Sequence, residues 1–115
     1  MARWEKACRA DAVREGEPVG VTLGGLSIGI FRVGDRLRAV HDICSHEYAL
    51  LSGGYQEDGA VECPLHQARF DLATGKCLAA PAERDLTVFA VKVEEGEVYV
   101  EVPEGASDEG LTRGA

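Results

Sequence analysis

The sequence predicts an all-β domain of small antiparallel sheets, with two loops projecting from one end. Three observations carry this reading. Short runs rich in Val, Ile and Leu recur, glycine-containing turns separate them, and no helical period extends beyond one turn near Ala10 to Arg14. Val19, Val21 and Leu23 alternate with Gly20 and Thr22, and Gly24-Gly25 offers a tight hairpin into Leu26, Ile28 and Ile30. Gly34-Asp35 makes the next turn, and Leu37 to His41 forms a strand that runs into the first of the two loops. Val61-Glu62 lead into the second loop, and Phe70 to Leu72 leave it before a turn at Thr74-Gly75. Leu86 to Glu94 and Glu97 to Val102 form a hairpin across Glu95-Gly96. In its second arm Val98, Val100 and Val102 face one way, while Tyr99 and Glu101 face the other. Beyond Pro103 the chain turns to Gly, Ser and acidic residues, so a flexible tail is expected over 103–115.

A chain of 115 residues is one domain, large enough to bury a core. No internal repeat and no second domain are visible; the domain is expected over 1–102. Twelve basic against twenty acidic residues leave a net charge of −8. Such a surface repels nucleic acid and anionic lipid, and it steers association towards partners with a basic patch. The N-terminal Met1-Ala2-Arg3-Trp4-Glu5-Lys6 lacks the apolar stretch of a signal peptide. The longest weakly polar run, Gly20 to Phe31, is too short for a bilayer and is interrupted by four glycines. A soluble, cytoplasmic protein without a membrane anchor is therefore expected. In that setting its four cysteines fit metal ligation better than disulfides.

Cys44-Ser45-His46 and Cys63-Pro64-Leu65-His66 are separated by the 16 residues 47–62. Each motif sets one thiolate beside one imidazole. Thiolates favour zinc or iron–sulfur clusters, and imidazole suits zinc, iron and copper. Two readings follow, a tetrahedral zinc site or a two-iron cluster with a split ligand set. In a Rieske centre two histidines replace two cysteines on one of the irons. Such a centre needs one Cys and one His from each of two loops, and the C-x-H and C-x-x-H motifs have that form. Zinc modules more often pair like with like, as C-x-x-C followed by H-x-x-x-H. The spacing favours the cluster.

At these residues the chain resembles the soluble Rieske-type ferredoxins of bacterial aromatic-ring-hydroxylating dioxygenase systems. The resemblance runs from Val40 to about Val102. It includes Cys44-Ser45-His46-Glu47-Tyr48-Ala49 and the segment Glu62-Cys63-Pro64-Leu65-His66-Gln67-Ala68-Arg69-Phe70-Asp71. It continues through Thr74-Gly75-Lys76 to Ala80-Pro81, which stands where the family's loop covers the cluster. The resemblance implies the Rieske fold, with a cluster-binding region at about 41–82 that holds one [2Fe–2S] cluster. Cys44 and Cys63 would then bind one iron, and His46 and His66 the other. The oxidised cluster with its two thiolates is near neutral, whereas an all-cysteine cluster carries about −2, so it accepts an electron more readily. In the family the histidine end lies near the surface, which makes it the expected route for electrons.

His41 is the one remaining histidine, expected to pack or hydrogen-bond ahead of the first loop. An oxygenase needs a further mononuclear iron held by two histidines and a carboxylate. With His46 and His66 on the cluster, this chain is able to feed an oxygenase but not to act as one. Cys8 and Cys77 are expected to be small buried hydrophobes. Respiratory Rieske proteins brace their ligand loops with a disulfide and bond the cluster through a serine and a tyrosine. Here the matching positions are Ala49 and Leu65, and Ala68 and Phe70, which place the chain on the ferredoxin branch.

The expected function is one-electron transfer from a ferredoxin reductase to a terminal oxygenase. Two alternatives are a small Rieske subunit held firmly by an assimilatory nitrite reductase, and a zinc-stabilised interaction module.

Overall fold

The computed structural model describes residues 2–43, 50–64, 69–79, 85–105 and 108. Among the described residues, eleven strands form three antiparallel sheets. The first has the order β1 (Ala2–Arg9), β11 (Glu97–Pro103), β10 (Val91–Glu94). The second runs β2 (Val19–Leu23), β3 (Leu26–Val33), β4 (Arg36–His41), β9 (Val88–Phe89). The third runs β5 (Tyr55–Glu57), β6 (Ala60–Glu62), β7 (Arg69–Asp71), β8 (Cys77–Ala79).

The hairpin expected at Gly24-Gly25 forms, with φ of 56° and 84° at the two glycines. Both central residues thus take the left-handed conformation of a tight type I′ turn, which matches the twist of the flanking strands. The helical turn expected near Ala10 is a single 3-10 turn, Ala10–Ala12. The long strand expected over Leu86 to Glu94 divides at Ala90. Its first part, β9, pairs with β4 at Ala39 and Val40, and its second, β10, crosses to pair with β11. One chain segment therefore joins two sheets.

The sheets enclose two cores. Val98, Val100 and Val102 of β11, all buried as their alternation requires, pack with Leu26, Ile28 and Ile30 of β3 and with Phe89. On the opposite face of the central sheet, Phe31 and Val40 pack with Val61 and Phe70 of the third and with Cys63, which follows β6. β3 is thus covered on both faces at its centre, which is why Ile28 to Phe31 is buried without alternation. Cys8 and Cys77 are half-buried rather than buried as expected, because they pack at the margins of the first and second cores respectively, and no disulfide joins them.

In the segment expected to be a flexible tail, Asp108 is tied to the central sheet. Its carboxylate accepts bonds from the Ser27 backbone amide at 2.7 Å and the Ser27 hydroxyl at 2.8 Å, and lies 3.0 Å from His41 Nε2. Burial works to raise the Asp108 carboxyl, but the bonds from Ser27 and His41 together outweigh it and hold it below the ordinary value. Because the folded value is depressed, this stabilisation is present above the ordinary carboxylate value of 3.8 and fades as pH falls through the folded one. Asp108→Asn is accordingly expected to cost about 1–2 kcal/mol near neutrality. Urea unfolding of both forms should show that gap at pH 7 and a gap that shrinks steadily as pH is lowered below 3.8. An equal gap throughout would mean the charge contributes nothing.

Candidate metal centre

Of the four candidate ligands, the described residues include Cys63; Cys44, His46 and His66 lie outside them, as do Pro81, Ala49, Leu65 and Ala68. What the structure defines is the framework from which the two ligand loops spring.

Cys63 follows the last residue of β6, is 1% exposed and is in no disulfide. It belongs to the core containing Val40, Leu51, Phe70 and Leu86. Leu51 stands just after segment 44–49, Phe70 just after 65–68, and Leu86 just after 80–84. Residues flanking both ligand loops and the segment containing Pro81 therefore share one core with the described cysteine.

Backbone bonds fix each base. The first loop is closed by an antiparallel bridge between Ile43 and Leu50 and by Leu51 N donating to the Asp42 carbonyl at 2.7 Å. The second is closed by the pairing of Glu62 with Arg69, and Arg69 also pairs with Ala79, where the third segment begins. Gly54, just past the first loop, presses against the Glu62 carbonyl and Pro64; a Cβ there would overlap that carbonyl oxygen. Only glycine permits this approach, which couples the end of one ligand loop to the start of the other. Leu86 N donates to the Gly75 carbonyl at 2.7 Å and fastens the end of the third segment to the turn after β7.

His41 is 3% exposed and bonded to Asp108, so it packs and hydrogen-bonds ahead of the first loop as expected. Two residues with a place in the site gave no motif in the sequence. Asp42, 2% exposed, accepts bonds from Ser52 N at Oδ1 and from Ser52 Oγ at Oδ2, both at 2.7 Å. Burial raises the Asp42 carboxyl, and the bonds from Ser52 and the proximity of His41 offset part of that rise. The available signal was indirect: Gly20 and Gly29 sit inside strands, where glycine marks a close approach of another group.

The framework fits an iron–sulfur centre. A thiol at a strand end, outside any disulfide and among the bases of three loops, is placed to anchor a metal, and its apolar neighbours would limit solvent access to it. The donor set of the two motifs, two sulfurs and two nitrogens, suits the split coordination of a Rieske cluster. Among the described residues no group of three His, Cys, Asp or Glu side chains offers another metal site.

Comparisons with known proteins agree. Residues 3–90 match the Rieske [2Fe-2S] domain family. The chain is 43% identical over 102 residues to the anthranilate 1,2-dioxygenase ferredoxin subunit of Burkholderia cepacia, covering 89% of this chain and 94% of that one. It is 46% identical over 99 residues to the 3-phenylpropionate/cinnamic acid dioxygenase ferredoxin subunit of Escherichia coli K12, covering 85% and 92%. A chain in a solved complex of reduced oxygenase and oxidised ferredoxin in carbazole 1,9a-dioxygenase superposes with a TM-score of 0.79 at 39% identity, covering 84% of this chain and 91% of that one. Among the described residues no helix is long and apolar enough to cross a membrane. The chain belongs to the Rieske [2Fe–2S] family, among the ferredoxin components of aromatic-ring dioxygenase systems.

Proposed function

We propose that this protein is a cytoplasmic one-electron carrier that takes electrons from a ferredoxin reductase and delivers them to the terminal oxygenase of an aromatic ring-hydroxylating dioxygenase system. The observation that carries the proposal is the likeness, over almost the whole of both chains, to ferredoxin subunits of such systems. The ligands in this reading are Cys44 and Cys63 on one iron and His46 and His66 on the other. When bound, the cluster supplies a one-electron couple raised by its two neutral imidazole ligands.

The chain's own residues have three tasks. Cys63 holds the thiolate end inside the core, where Leu51, Phe70 and Leu86 keep water away. The paired loop bases hold the roots of the two loops in fixed register, which would limit rearrangement when the charge changes. The outer surface offers a docking rim. Leu50, Tyr55 and Leu78 are 54%, 77% and 54% exposed. Leu50 borders the first loop, Tyr55 pairs with Glu62 at the base of the second, and Leu78 lies two residues before the third segment. A rim of a few apolar side chains on an acidic protein suits a contact that forms and dissolves quickly.

Mixing the reduced protein with an oxidised aromatic-ring oxygenase in a stopped-flow instrument tests the proposal. Transfer should be second order and should slow as salt rises, because acidic residues guide docking and the Debye length is about 10 Å at 0.1 M. A rate independent of salt would give the contact to the apolar rim instead. A protein that reduces no such oxygenase, yet purifies at fixed stoichiometry with a larger reductase, would be the small subunit of another enzyme.

A further inference from the structure

The base of the first ligand loop holds a buried carboxylate in a cavity that the sequence has cleared for it. Gly20 and Gly29 face each other across β2 and β3. A Cβ on Gly29 would lie 2.7 Å from Asp42 Oδ1, and a Cβ on Gly20 would lie 3.0 Å from Asp42 Oδ2 and 3.0 Å from Ser52 Oγ. Two facing strand positions thus lack side chains where Asp42 and Ser52 meet, although glycine weakens a strand interior.

Asp42 also joins three parts of the backbone. Its amide donates to the Ser27 carbonyl of β3 at 2.8 Å, and its carbonyl accepts from Leu51 N at 2.7 Å. Its carboxylate then accepts from both the amide and the hydroxyl of Ser52. Among the described residues no lysine or arginine pairs with that carboxylate. Burying a carboxylate without a cation costs several kcal/mol unless its oxygens are bonded, so an apolar residue would serve a purely structural closure better. A carboxylate gives something an apolar side chain does not, two directed bonds across the neck of the loop.

We propose that Asp42 is a positioning residue for the cluster: seated between Gly20 and Gly29, it clasps Ser52 and so fixes the base of the loop whose sequence carries Cys44 and His46. The proposal rests on the ligand assignment given above. Asp42 touches no ligand in the described structure and acts through the loop.

The test is the rate at which the holoprotein loses iron to excess EDTA, anaerobically and well below its unfolding temperature. Asp42→Ala removes both bonds and should release iron at least tenfold faster than wild type. Ser52→Ala removes the hydroxyl bond and should be a few-fold faster. Asp42→Asn keeps the shape, an acceptor for Ser52 N and a donor for Ser52 Oγ, and should stay within twofold of wild type. Val98→Ala, a buried residue of the other core, is the control for general loss of stability. If Val98→Ala releases iron as fast as Asp42→Ala, the clasp has no particular role and the proposal is overturned. Wild-type rates in Asp42→Ala and Ser52→Ala would also overturn it. Should Asp42→Ala fail to fold, Ser52→Ala against Asp42→Asn decides by the same criteria. A wild-type protein that binds no cluster at all would overturn the ligand assignment and, with it, this proposal.

Discussion

Cys63→Ser, and equally His66→Ala, should yield a folded chain that shows no Rieske-type paramagnetic resonance signal after reduction. The reason is the division of labour among the ligands. With Cys44 and Cys63 on one iron and His46 and His66 on the other, as proposed, the two irons would be unequal, and that inequality would give the signal its form. Removing an imidazole would leave the second iron without one of its two nitrogen donors, and replacing the buried Cys63 thiol with a hydroxyl would remove a soft donor from the apolar core at the base of the second loop. The same result is expected for Cys44 and His46. Resonance spectra with iron analysis measure this, and circular dichroism reports whether the sheets persist. The first sheet and its core lie apart from Cys63, so their strands should survive loss of the metal. A full-strength signal in any variant would strike that residue from the ligand set.

Ala68→Ser combined with Phe70→Tyr should raise the reduction potential by several tens of millivolts. Rieske potentials span roughly −150 to +300 mV, and hydrogen bonds to the sulfurs are among their controls. A donor aimed at a sulfur stabilises the reduced form more, since that form carries the additional negative charge. If each hydroxyl contributes about 1 kcal/mol of differential stabilisation, the one-electron scale of about 59 mV per tenfold gives roughly 40–45 mV per bond. The wild-type chain, with neither hydroxyl, should lie in the lower half of the range, able to reduce a similar cluster in an oxygenase. Phe70 is fully buried in the core that contains Cys63, so the new tyrosine hydroxyl must find an acceptor or destabilise the fold by about 1–3 kcal/mol. Protein-film voltammetry on both forms decides. A wild-type potential near the top of the range would contradict the ferredoxin assignment, and an unchanged double variant would show that these hydroxyls cannot reach the cluster.

The strands legible in the sequence were those whose alternation or bounding turns left a local mark. Val98, Val100 and Val102 alternate because one face of β11 meets the core and the other meets solvent. Gly24-Gly25 declares its hairpin through backbone freedom alone. β1 leaves no such mark because its residues, Ala2 to Arg9, mix charged and small side chains with a single Trp4; it is held by pairing with β11, from Arg9 with Glu97 to Ala2 with Pro103 at the far end of the domain. β5 and β8 are three residues long, too short for any period to show. The turn joining β5 to β6 places Asp58 at φ 52° and Gly59 at φ 79°, and its Asp-Gly pair is itself a hairpin signal. The division of the strand at Ala90 left no local trace, since it reflects competition between two sheets for one segment.

The site divides in the same way. Ligand chemistry is local, and the two motifs disclose it from residue type and spacing. The clasp of Asp42 on Ser52 depends on two glycines more than ten residues upstream, and no motif records such a juxtaposition. The role of Asp108 is hidden for the same reason: a carboxylate in a polar tail bonds Ser27 and His41 far earlier in the chain. Short-range chemistry is written in the order of residues, while long-range polar contacts are settled by the packing of sheets.

The central claim, that this chain holds a two-iron cluster through two cysteines and two histidines, is tested most directly by pulsed electron–nuclear resonance on the reduced protein. The account predicts strong couplings to two distinct imidazole nitrogens, carried on the signal of one reduced two-iron cluster per chain. A reduced cluster without nitrogen coupling would mean four sulfur ligands, and a colourless protein with bound zinc and no signal would mean a structural metal. Either result would contradict the claim.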